Sequence, residues 1–456
     1  RVATRAAPIS CPRRGSRNTD PVKNNRLYLE SLGCPKNRVD SEVMLAALIA
    51  DGWEVIDDPA RADLIILNTC AFVEDARRET IERFFDLHRR RSKGARLAVA
   101  GCLPQLVPDI AKSLVEADIV LGLNDIPRVA ELVREKRGAS RRIAAPEFLM
   151  TARQERVATL SPHTAYLKIA DGCDNRCAYC AIPLIRGVYR ERSPRDILEE
   201  ARRLIDGGVR EIVLIAQDTT AYGRDHDTDL ATLLRRLNRL PGEFLIRSLY
   251  LYPSGIDGRL LDAFGGEKVI PYFEIPLQHV ADRVLAAMGR RYRRADIERV
   301  TDSVLARFGE RAILRTTLIA GFPGETAREF DEMQRFTADA PFDYVGVFGY
   351  SKEQGTPAGR LRSLPRRVIE ERTALLRKTA ETAMERRLDR FVGMRTTVLY
   401  EGFDADSCLA TGRALQQAPE IDGITILTNI DRERPGDLLP ARIVARDGVD
   451  LIAEAL

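Results

Sequence analysis

The sequence predicts an α/β protein in three parts: an amino-terminal parallel-sheet domain over residues 25–145, a partial (β/α) barrel over 146–390, and a small OB-like β-barrel over 391–456. Three observations carry this reading. A unit of apolar strand, cysteine and helix recurs three times in the first part, and six apolar runs alternate with helical stretches in the second. Four short β-like runs separated by turns fill the third. Alternating strands and helices build parallel sheets, whereas evenly spaced short strands build closed barrels.

Composition bounds the function. The chain has 456 residues, 45% of them hydrophobic, enough for several cores. No apolar run reaches the roughly eighteen residues of a membrane span, so a cytoplasmic protein is expected. Eight cysteines in so long a chain suggest ligation rather than a disulfide framework. The net charge of +4 says little, and the arginine runs at Arg89, Arg90, Arg91 and Lys93 and at Arg290, Arg291, Arg293 and Arg294 read as solvated faces. Residues 1–24 hold five arginines against one aspartate without apolar periodicity, and are expected to be a disordered tail in which Cys11 is idle.

In the first part, residues 26–32 alternate as a strand and end in Gly33-Cys34-Pro35, with Pro35 placed to open a helix. Val39, Val43, Ala46, Ala47 and Ile49 give that helix an apolar stripe, which Gly52 ends. Residues 63–67 form a second strand, ending Asn68-Thr69-Cys70 before a helix over 73–87. Residues 96–100 form a third, ending Gly101-Cys102-Leu103-Pro104. If these units share one parallel sheet, Cys34, Cys70 and Cys102 converge at its carboxyl edge, where open α/β sheets place their sites. A lone cysteine is often a small buried hydrophobe. Three in equivalent positions argue for a ligand set.

The second part opens with a strand at 166–170 followed by Cys173, Cys177 and Cys180 in C-x3-C-x2-C spacing. Three clustered thiolates suit zinc or an iron–sulfur cluster. A structural zinc site wants four protein ligands, and no second pair stands at a fitting distance; three ligands suit a cubane with one open iron. This stretch resembles the radical S-adenosylmethionine (SAM) superfamily, whose loop of this spacing holds a 4Fe-4S cluster with SAM on the unique iron. Tyr179 fits the aromatic residue that precedes the third cysteine there.

Five further strands, at 211–216, 244–250, 269–275, 312–319 and 344–350, complete an incomplete barrel. Residues just past each strand are the site candidates: Gln217, Asp218 and Thr219, Tyr252 and Pro253, Pro276 to His279, and Gly321 to Glu325. His279 has an alternative reading as a packing histidine. A charged helix over 365–390 bridges to the last part. From Phe391 onward eleven acidic residues face six arginines, a net of −5. RNA-gripping modules are basic, so this one suits a basic protein partner better.

Several strings together extend the resemblance over residues 25–456. Ser31-Leu32-Gly33-Cys34-Pro35-Lys36-Asn37, Asn68-Thr69-Cys70-Ala71-Phe72 and Gly101-Cys102-Leu103-Pro104-Gln105 look like the amino-terminal domain of methylthiotransferases, in which the three cysteines hold another 4Fe-4S cluster. The closing barrel resembles their TRAM domain. Ala418-Pro419-Glu420-Ile421-Asp422-Gly423 and Tyr189-Arg190-Glu191-Arg192-Ser193 fit the RimO-type subgroup, which modifies an aspartate in the twelfth ribosomal protein of the small subunit. The resemblance implies two clusters, on Cys34, Cys70 and Cys102 and on Cys173, Cys177 and Cys180, with Tyr179, Gln217, Gln278 and Arg315 contacting SAM or substrate. It implies methyl transfer to a sulfide on the first cluster, then reductive cleavage of a second SAM at the other, with no side chain as acid or base. An electron donor and a sulfur source are implied partners. A tRNA-adenosine methylthiotransferase and a non-catalytic iron–sulfur carrier stay open as alternatives; the acidic barrel makes tRNA the less suited partner.

Overall fold

The computed structural model describes residues 25–107, 109–135, 143–404 and 407–456, so the disordered tail expected over 1–24, with Cys11, lies outside the described residues. The chain divides into two compact units. One holds the described residues up to Thr159 with Asp171–Asp174 and Cys180–Arg190; the other holds Leu160–Ala170, Asn175–Tyr179 and Glu191–Leu456. Among the described residues no helix is long and apolar enough to cross a membrane.

The first unit is built on a five-stranded parallel sheet in the order Trp53–Val55, Asn25–Ser31, Leu64–Thr69, Arg96–Gly101, Ile119–Leu121. The two strands that the cysteine units did not announce are three residues each, too short to show a period. Leu64–Thr69 is buried along its whole length, as a central parallel strand covered on both faces must be. Pro35 opens the helix Pro35–Ala50, where a missing N–H costs nothing. That helix buries Val39, Val43, Met44, Leu45 and Leu48, while the expected Ile49 is exposed. Its polar face is covered too, because Glu42 takes hydrogen bonds from Arg156 at 3.0 Å and Thr159 at 3.0 Å. The core around Ile65, Leu67, Phe84, Leu97 and Val99 also takes in Ala181 and Ile185, so the short helix Ile182–Arg186 after Cys180 folds as part of this unit.

In the second unit two three-stranded parallel sheets, Leu245–Ser248, Glu211–Ile215, Thr164–Lys168 and Tyr272–Glu274, Ile313–Ala320, Tyr344–Gly349, make the partial barrel. A parallel bridge, Ile246 to Val269, and a hydrogen bond from Leu251 N to Glu274 O at 2.9 Å link them. The helix Arg366–Leu388 then leads to a closed five-stranded barrel of Arg395–Asp404, Leu409–Ala414, Thr425–Thr428, Asp450–Ala455 and Leu438–Asp447. Its fifth strand, Asp450–Ala455, was not among the four expected runs.

This closing barrel grips the amino-terminal ends of the partial barrel's strands. Glu211 pairs with Arg413 at 2.6 Å and Arg247 at 2.8 Å, and Arg413 donates to Thr164 Oγ1 at 2.7 Å. Tyr166 donates to Glu420 at 2.9 Å, while the fully buried Asp422 carboxylate accepts from Arg315 and Tyr272. Burial alone would raise the Glu211 carboxyl, but Arg413 and Arg247 hold it below its ordinary value. Removing one partner of a buried ion pair strands the other charge at a cost of about 3–5 kcal/mol. Asp422→Ala is therefore expected to lower unfolding stability by roughly that amount in a urea titration, whereas the exposed Asp431→Ala is expected to change it by less than about 0.5 kcal/mol. Equal effects would mean that this contact does not hold the barrel.

Candidate functional site

The loops beyond three neighbouring strands of the first sheet bring Cys34, Cys70 and Cys102 together. Ser31 pairs with Asn68 and Thr69 with Gly101, so the strands end in step. A Cβ on Gly33 would lie 2.8 Å from both Cβ and Sγ of Cys70, and one on Gly101 would lie 2.1 Å from Asn68 Oδ1; both glycines have positive φ. Only glycine lets the loops approach this closely.

Side-chain amides then stitch the loops. Asn37 Nδ2 donates to Leu32 O at 2.6 Å and Thr69 O at 3.2 Å, and Asn68 Nδ2 donates to Asn37 O at 2.9 Å and Ser41 Oγ at 2.7 Å. Thr69 Oγ1 donates to Ala100 O at 2.6 Å and accepts from Leu103 N at 3.0 Å. Cys102 is buried, and Cys34 and Cys70 are half-buried. Burial pushes the Cys70 thiol up to about 12, and the nearby Cys102 and Cys34 add to this. Burial likewise pushes Cys102 up to about 11, against the pull of the Arg186 guanidinium. No disulfide joins the described cysteines, and among the described residues no three His, Cys, Asp or Glu side chains are drawn together for a single metal ion. Three soft sulfur side chains at an open sheet edge are the donor type that an iron–sulfur cluster takes.

The other cysteine loop is shared by chain division: Cys173 and Cys180 belong to the first unit and Cys177 to the second. Cys173 N donates to Gly187 O at 3.2 Å, and Cys180 Sγ accepts from Ile182 N at 3.4 Å. In the second unit Arg290 Nη1 donates to Cys177 Sγ at 3.4 Å. Its guanidinium lies over the rings of Tyr252 and Tyr292, 4.5 and 4.9 Å from their centroids. Arg290 is thus no part of a solvated face; Arg294, from the same run, pairs with Glu298 and Glu332. In the earlier run, Arg91 pairs with Asp118 and Arg89 with Asp86.

Of the candidates past the barrel strands, Tyr179 packs on the cluster of Ala178, Met288, Phe322 and Tyr350. Gln278, at φ +71°, joins the end of Ile313–Ala320 through backbone hydrogen bonds of 2.7 Å with Thr317 and Ile319. Gln217 follows Glu211–Ile215 and is half-buried; Asp218 is buried and accepts from Asn175 at 2.7 Å and Thr220 at 2.6 Å. His279 is fully buried 3.4 Å from Glu325, which also accepts from Gly321 N and Arg372. The packing reading of His279 is the one the geometry favours. Arg315, expected to contact SAM or substrate, lies near the start of Ile313–Ala320, and its guanidinium is committed to Asp422. The expectation missed Asn37, Arg290 and Arg186. The signal for Arg186 was an arginine as the only charge in the short apolar helix Ile182–Arg186.

Three families match along the chain: Uncharacterized protein family UPF0004 over residues 26–122, the Radical SAM superfamily over 167–337 and the TRAM domain over 392–456. A curated relative from Syntrophus aciditrophicus, "Ribosomal protein uS12 methylthiotransferase RimO", is 41% identical over 450 residues, covering 95% of this chain and 99% of its own. The protein of the same name from Bdellovibrio bacteriovorus is 37% identical over 455 residues, covering 95% and 98%. Among solved structures, the radical S-adenosylmethionine methyltransferase TsrM from Kitasatospora setae, with cobalamin and a [4Fe-4S] cluster bound, shares the fold at TM-score 0.53 and 16% identity, covering 74% of each chain. The cobalamin-dependent radical enzyme OxsB does so at TM-score 0.51 and 12% identity, covering 80% of this chain and 56% of its own.

Because Asn37 holds two of the three cysteine loops, Asn37→Ala is expected to cost about 1–3 kcal/mol in denaturant unfolding. It is also expected to speed thiol labelling of Cys70 relative to Cys408. Unchanged labelling would show that the amide does not fix the loop.

Proposed function

The chain belongs to the RimO family of ribosomal protein uS12 methylthiotransferases, and from that premise we propose that it inserts a methylthio group at the β-carbon of an aspartate in uS12, the twelfth small-subunit ribosomal protein, by a radical SAM mechanism. The observation that carries the reading is identity near 41% along 95% of the chain, with every cysteine of both sequence motifs present.

In this reading Cys34, Cys70 and Cys102 hold one 4Fe-4S cluster, and Cys173, Cys177 and Cys180 hold another that binds SAM. When bound, the clusters supply the sulfur-transfer and radical chemistry that acid–base side chains cannot perform on an unactivated C–H bond. The chain's own residues position. Gly33 and Asn37 set the approach of the first three thiols, Arg290 steadies Cys177, and Tyr179, Gln217 and Gln278 are placed for SAM or substrate at the carboxyl edge. Residues 25–145, 146–390 and 391–456 serve as cluster, radical and TRAM domains. An electron donor and a sulfur source complete the cycle, and a substrate that is a component of the ribosome supports a cytoplasmic enzyme.

The relatives' name favours a protein acceptor over tRNA, as does the closing barrel's charge. Part of that charge faces inward, since Asp422 and Glu420 bind the partial barrel. Asp404, Asp431, Asp447 and Glu454 remain exposed for a basic partner.

Intact-mass spectrometry of ribosomal proteins, beside nucleoside analysis of tRNA, from cells with and without the gene tests the acceptor. A methylthio increment on uS12, lost on deletion while tRNA stays unchanged, is expected; loss of a methylthiolated adenosine would overturn the choice of substrate. In purified protein, Cys177→Ala is expected to abolish reductive SAM cleavage, and Cys70→Ala to spare cleavage while stopping methylthio transfer. Full product from either variant would contradict the cluster assignment.

A further inference from the structure

A guanidinium buried beside one of the first three cysteines has no role in the scheme above. Arg186 is 2% exposed, and burying a charge costs several kcal/mol unless it is well paired. Its Nη1 meets Asp40 at 2.7 Å and Asp171 at 3.0 Å, both buried. Its Nη2 is thereby turned to Asn37 Oδ1 at 3.4 Å and Cys102 Sγ at 3.6 Å. The members of this triad come from the helix after Cys34, the residue two before Cys173 and the helix after Cys180.

Two carboxylates on one nitrogen leave the planar fork no freedom to swing, so the other nitrogen is fixed as a donor to the sulfur. Hydrogen bonds to ligand sulfurs help set the potential of an iron–sulfur cluster, because they favour the more negative, reduced state. We propose that Arg186 is a positioning residue that fixes the Cys102 thiolate and raises the reduction potential of the cluster held by Cys34, Cys70 and Cys102. The proposal rests on the two-cluster reading above.

The test uses the full chain with Cys173→Ala, Cys177→Ala and Cys180→Ala, in which only the first cluster can form. Its midpoint potential is read by EPR-monitored redox titration, then read again with Arg186→Gln and Asp40→Asn together, a charge-neutral variant that removes the cation with one carboxylate and so leaves the net charge of the triad unchanged. A shift to more negative potential is expected, with Arg186→Lys alone lying between the two. Equal midpoints in the parent and the neutral variant would overturn the proposal. Should the neutral variant hold no cluster, the parent grown with 15N-arginine gives the answer by electron spin-echo spectroscopy. A 15N coupling to the reduced cluster is expected, and its absence overturns the assignment. A parent without iron would instead overturn the two-cluster reading, and the proposal with it.

Discussion

Parallel strands of one sheet all end at the same edge, and that constraint brings together three cysteines that are far apart in sequence. The pairing of Ser31 with Asn68 and of Thr69 with Gly101 brings the strand ends into step, so the next turns must share a small volume. That crowding explains the glycines at 33 and 101, where a Cβ would collide with Cys70 or Asn68. It also explains why the helix Pro35–Ala50 is buried on a polar face: Asn37, Asp40 and Ser41 serve the loops and the buried arginine rather than solvent.

The second unit divides its labour between two edges. Glu211, Arg247, Tyr272 and Arg315, near the beginnings of their strands, are tied to the closing barrel. Gln217, Tyr252, Gln278 and the turn braced by His279 and Glu325 lie past the strand ends. Binding the closing barrel at one edge leaves the other open for chemistry, as parallel barrels use it. The negative charge of the closing barrel is therefore divided, since its buried carboxylates fasten it in place while others remain at the surface.

Most of the fold was legible because its signals are local. Apolar runs, cysteine spacing and the proline at the head of the first helix each declare themselves within a few residues. The three-residue strands did not, and neither did Ile49, whose stripe position proved exposed because the helix is covered mainly along Val39, Val43, Met44 and Leu48. The pairing of Arg315 was not legible for a tertiary reason: its partner Asp422 lies more than a hundred residues away in another barrel, and no local pattern carries that pairing. Arg186 shows the same limit. Its carboxylates come from separate segments, so the sequence offered only an arginine in an apolar helix.

The central claim is that the sheet edge of the first unit carries a four-iron cluster separate from that of the radical loop. Mössbauer spectroscopy of 57Fe-loaded protein, wild type beside a variant with Cys34→Ala, Cys70→Ala and Cys102→Ala, tests it most directly. The cluster signal is expected to fall by about half, with the remaining cluster still responding to added SAM. An undiminished signal in the variant would show that those three cysteines hold no cluster and would contradict the claim.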